Sequence, residues 1–70
     1  MTMFTAIISK EEDLYVAECP EIGSASQGRT IEEAVANIKE ATELYLREFP
    51  VKGNKPPILT TFEVAEIVKA

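Results

Sequence analysis

The sequence contains no histidine and no tryptophan, one cysteine, three glycines, and fewer basic than acidic side chains. Each shortage removes a class of function. Without histidine the chain has no imidazole base, no His–Cys pair and no His-ligated metal of its own. The single cysteine, Cys19, forbids an internal disulfide, and with no histidine beside it leaves no ligand set for structural zinc. Ser9, Ser24 and Ser26 lie in no Gly-x-Ser-x-Gly elbow, and no glycine-rich loop cradles a phosphate. Cys19, directly before Pro20, reads as a core-facing apolar residue with no base to activate it. No enzymatic activity and no cofactor are expected.

Long apolar runs are also missing. Lys10-Glu11-Glu12-Asp13 interrupts the first apolar stretch before a signal-peptide core is complete, and no run of about 20 apolar residues could span a bilayer. An unpaired cysteine suits a reducing compartment. The expected setting is cytoplasmic, away from membranes.

What remains is a small globular composition: 70 residues, 46% apolar, net charge −5 from twelve acidic and seven basic side chains. This supports one domain, residues 1–70, that buries only about 60% of its unfolded surface. A core of that size supplies roughly 3–5 kcal/mol, and no disulfide or metal reinforces it. Self-association is the remaining reinforcement, so a homodimer or higher homo-oligomer is expected. Lys10, Arg29, Lys39, Arg47, Lys52, Lys55 and Lys69 are scattered, so direct nucleic-acid binding is not expected. An acidic surface complements a cationic protein partner; the same charge also serves plain solubility.

The pattern along the chain predicts α+β. Met3 to Lys10 alternates around Phe4, Ala6 and Ile8, with Met3, Thr5 and Ile7 opposite, and predicts a first strand with two apolar faces. Lys10 to Asp13 forms a solvated turn. Leu14 to Cys19 forms a second strand, with Tyr15, Ala17 and Cys19 on one face, completing a β-hairpin. Pro20 lacks an N–H and ends it, and Gly23 to Gln27 is a weak third strand. Thr30 and Glu33 have capping-box spacing, with Glu32 and Glu33 at the positive end of the helix dipole. Ile31, Ala34, Val35, Ile38, Ala41, Thr42, Tyr45 and Phe49 then form one stripe, and Pro50 stops the helix near Glu48. Residues 51–57 form a loop. From Ile58 to Lys69, Phe62, Val64 and Val68 alternate as in a strand, while Thr60 and Glu63 also fit a helix cap; a fourth strand is the reading adopted.

The order and spacing of Tyr15, Pro20-Glu21-Ile22, Gly28, Thr30, Glu32-Glu33-Ala34 and Asn37, followed by Glu40-Ala41, resemble the HicB-like antitoxin family. The resemblance covers about the first fifty residues. It implies a partial RNase H-like fold, β-β-β-α-β, with one helix packed on a small mixed sheet and no RNase H catalysis. The lone aspartate, Asp13, sits in the predicted turn and the first strand carries no acid, so no two-metal nuclease site is expected. Family antitoxins bind and block a small basic HicA-type toxin that cleaves mRNA. The residues after Phe62 are too few for the helix-turn-helix or ribbon-helix-helix module of longer members, so operator binding is not expected.

The resemblance thus implies a type II antitoxin that neutralises its toxin by protein–protein contact. Candidate partner-binding residues are Glu11, Glu12 and Asp13 in the hairpin turn, Glu21 after the proline, and Glu32, Glu40 and Glu43 on the helix. Each also reads as an ordinary solvated charge. The alternative is an orphan oligomeric domain of this type, with a regulatory or scaffolding role and no toxin.

Overall fold

The computed structural model describes residues 2–50 and 57–66. Three strands precede one helix: β1 (Ile7–Glu11), β2 (Leu14–Cys19), β3 (Ser24–Gly28) and α1 (Ile31–Glu48). The sheet is antiparallel throughout, in the order β1-β2-β3.

The first hairpin is tighter than the charge pattern predicts. Lys10 and Glu11 are not turn residues; they pair with Tyr15 and Leu14, leaving Glu12 and Asp13 as the connection. Glu12 adopts φ 55°, the left-handed region that a two-residue hairpin requires. The Lys10 ammonium lies 5.7 Å from the Tyr15 ring centroid, so its cross-strand partner holds it in the ladder. At the other end, Met3 to Ala6 fall outside β1. The last pair is Ile7 with Glu18, and β2 stops at Cys19 because Pro20 cannot continue the ladder.

Pairing places Ile8, Ala17 and Ser26 side by side on one face, with Tyr15 and Gly28 also paired there. The helix covers this face. Thr30 caps it, its hydroxyl accepting from the Glu33 N–H at 3.0 Å, while Glu33 Oε1 accepts from the Arg29 N–H at 3.0 Å. The return bond of the capping box therefore reaches one residue further back than the usual N-cap amide.

Two contacts set the direction of α1. The Asn37 amide donates to the Gln27 carbonyl at 2.7 Å, and the Ser24 and Thr42 hydroxyls lie 3.2 Å apart. The helix thus runs antiparallel over β3, its N-terminus at the hairpin-tip end. Gly28 permits the approach: a Cβ there would lie 2.5 Å from the Ala34 backbone nitrogen.

The buried core is Ala17, Cys19, Ala34, Ile38 and Thr42, with Phe4, Ile8, Tyr15 and Ile22 packed at its margin. The apolar stripe is wider than this core. Ile31, Val35, Tyr45 and Phe49 stay exposed because α1 lies over β3 and β2 and leaves β1 uncovered. The opposite sheet face is open too, with Ile7 47% exposed.

No fourth strand is present among the described residues, so the sheet is purely antiparallel, not mixed. Residues 57–66 form neither strand nor helix, and every one is exposed. Alternation alone makes no strand where no neighbouring strand satisfies the backbone groups. Residues 51–56 of the expected loop and 67–69 of the expected strand lie outside the described residues.

Candidate partner-binding surface

The seven candidate carboxylates do not form one patch. Glu11 closes the β1 ladder, with Glu12 and Asp13 beside it at the hairpin tip, all exposed. Glu32, in the first turn of α1, belongs to the same end of the molecule, because Lys10, Tyr15 and Gly28 align across the sheet and Gly28 leads into the helix. Glu40 is exposed further along α1, and Glu43 lies beyond it, next to Thr42 at the opposite end. Four acids therefore gather at the hairpin end.

Glu21 is at the other end and is already engaged. Its Oε1 and Oε2 accept from the Thr5 N–H at 3.1 and 3.0 Å, and Oε2 accepts from the Thr5 hydroxyl at 2.8 Å. The buried Cys19 thiol donates to Oε1 at 3.4 Å. Partial burial pushes this carboxyl up, but the Thr5 bonds, its own backbone N–H and the Cys19 thiol together outweigh burial and hold it below its ordinary value. The carboxylate ties the segment before β1 to the β2–β3 turn. That turn is closed by the Gly23 N–H donating to the Cys19 carbonyl at 2.8 Å, with Gly23 at φ 76°.

The remaining motif residues have identifiable jobs. Tyr15 pairs with Gly28 and receives Lys10; Pro20 ends β2; Gly28, Thr30 and Glu33 bring in the helix. Ala34 is fully buried over Gly28, and Asn37 ties α1 to the edge strand. All but Pro20, which belongs to the β2–β3 turn, serve the strand-to-helix joint.

A feature that the charges do not announce is an apolar groove of about 580 Å³ between the N-terminal segment and the helix. Phe4 and Ala6 line one side, Val35, Ile38 and Leu46 the other, with Cys19 between. Lys39 and Glu43 also line it. The signal in the sequence was the width of the helix stripe, which exceeds what three short strands can cover. Among the described residues no three His, Cys, Asp or Glu side chains come together as a metal site. No helix among them is long and apolar enough to cross a membrane.

Comparison with known proteins finds relatives that span nearly the same length. A UPF0150 protein of Helicobacter pylori is 39% identical over 69 residues, covering 90% of this chain and 96% of the relative. A UPF0150 protein of Thermoplasma acidophilum is 41% identical over 56 residues, covering 77% of this chain and 81% of its own. One from Synechocystis is 51% identical over 56 residues, covering 77% and 71%. No family model and no solved structure matches the chain. At these identities and coverages, the chain belongs to the UPF0150 family.

Proposed function

We propose that this chain is a HicB-like antitoxin that binds a small basic, HicA-type mRNA-cleaving toxin and neutralises it by protein contact, without catalysis of its own. The observation that carries this reading is the gathering of Glu11, Glu12, Asp13 and Glu32 at the hairpin end, four exposed carboxylates on a chain of net charge −5. A protein that cleaves RNA presents cations where it meets phosphate, and an acidic surface complements those same cations. The residues of the HicB-like pattern support the reading as well, since Gly28, Thr30 and Asn37 each hold a structural place at the strand-to-helix joint and Pro20 ends β2.

The test is co-expression with the product of an adjacent gene that encodes a small basic protein with one prominent histidine. Co-purification, together with protection of RNA from that protein's cleavage, supports the antitoxin. Failure of both overturns it. The orphan-domain reading, favoured by the open groove beside a small core, then takes its place.

A further inference from the structure

We infer that the groove between the N-terminal segment and α1 is the docking site for residues 58–64 of a second copy of this chain, which adds as a strand along β1 in trans. Three observations meet here. The groove is apolar, and its wall opposite α1 is the segment of residues 2–6 that leads directly into β1, the sheet strand that α1 leaves uncovered. Because β1 is hydrogen-bonded to β2 alone among the described strands, one edge of it presents unpaired backbone groups.

The second observation is the segment itself. Ile58, Phe62 and Val64 are 95%, 85% and 70% exposed, and Leu59 is 58% exposed. A stretch this apolar lying wholly in water within its own chain calls for a partner surface. Its alternation suits a strand with one buried face. Ile58, Thr60, Phe62 and Val64 share one side, and Thr61, Glu63 and Ala65 fall on the other with Leu59.

Third, the dimensions match. Ile58 to Val64 as a strand spans about 20 Å. The helix wall of the groove, Val35 to Leu46, runs about 17 Å. Lys39 and Glu43 give the groove one charge of each sign, and Glu63 is the one charged residue of 58–64, on the side of the strand away from Phe62 and Val64. In its own chain the segment is exposed at every residue and leaves the groove open, so the occupant is another copy's segment. The exchange is reciprocal, giving two equivalent tail–groove contacts in a closed dimer. It enlarges a core that among the described residues consists of Ala17, Cys19, Ala34, Ile38 and Thr42. The inference does not depend on a toxin.

Sedimentation velocity on the full chain tests it. The wild-type protein is expected to sediment as a dimer in the micromolar range. The double variant Phe62→Glu/Val64→Glu, altered only at exposed positions, is expected to sediment as a monomer with unchanged helical circular dichroism. Ala6→Glu, which blocks the groove, should do the same; if it loses helix signal, Val35→Glu replaces it. Mixing the tail variant with the groove variant restores one intact contact per pair, so dimer mass should reappear where neither variant alone dimerises. A monomeric wild type, a tail variant that remains dimeric, or a mixture that stays monomeric would each overturn the inference.

Discussion

Glu21 holds Thr5 by both its carboxylate oxygens, accepting from the Thr5 amide and hydroxyl across sixteen positions of sequence. This contact fixes the segment that precedes β1 against the β2–β3 turn and so forms one wall of the groove. The bonds require an ionised acceptor, which is why the carboxyl is held below its ordinary value of 4.5 despite the opposing push of burial. A lowered folded-state pKa means that the stabilisation is full above the unfolded value and is lost as pH falls through the folded one. Denaturant midpoints of the wild type should therefore drop as pH is lowered below about 4.5. Glu21→Gln should start lower at neutral pH and converge with the wild type in acid. Parallel curves for the two proteins would show that this carboxylate does not carry the acid sensitivity.

Thr30→Ala removes the hydroxyl that accepts from the Glu33 N–H and leaves that first-turn amide unsatisfied. The expected loss is about 0.5–2 kcal/mol, read from urea denaturation, with Thr30→Ser retaining most of it. An unchanged midpoint for the alanine variant would mean that solvent replaces the cap without loss.

Gly28→Ala should be more disruptive than its size implies. The added carbon would meet the Ala34 backbone nitrogen at 2.5 Å and the Glu33 carbonyl carbon at 2.8 Å, and neither atom can rotate away. Overpacking of this kind costs about 1–3 kcal/mol. Because the clash is with backbone, Ala34→Gly should not rescue it. Faster amide exchange around Gln27 and Asn37, from loosening of that helix–strand contact, is the expected result; slower exchange would be the wrong sign. Hydrogen exchange and denaturant titration together check this.

The local elements were legible in the sequence because each carries its own start and stop. Pro20 ends β2, Thr30 begins α1, and the helix stops at Glu48 before Pro50, as their chemistry requires. Even β3, built from small polar residues, was readable from its place between two firm elements. The hairpin was legible as well, but not the tightness of its turn, since Lys10 and Glu11 look like turn residues until Tyr15 and Leu14 are seen opposite them. Residues 57–66 form no strand in their own chain because period-two alternation reports a face to be buried, not the strand that must lie beside it. Among the candidate site residues, exposure followed from charge, but the split of the acids between two ends depends on the direction of α1. The Glu21–Thr5 contact is long-range and leaves no local mark.

The hairpin-end acids yield the prediction closest to function. Glu11, Glu12 and Asp13 are exposed, and Glu32 extends the same end. If this surface meets a cationic toxin, replacing Glu12 and Asp13 by Lys should reverse the steering field with little effect on folding, since neither residue lies within a strand. Lys at position 12 must still adopt the left-handed φ of 55°, so Glu12→Asn with Asp13→Asn provides a neutral pair suited to that conformation. The association rate with the basic partner should fall in the order wild type, neutral pair, reversed pair. The gap should narrow as salt rises and screening shortens the range of the charges. Glu40→Lys, away from both ends of the helix, serves as the control for net charge. Stopped-flow association across a salt series decides between them. Equal slowing by Glu40→Lys and by a single reversal at Asp13 would assign the effect to overall charge and remove the hairpin end as the docking surface.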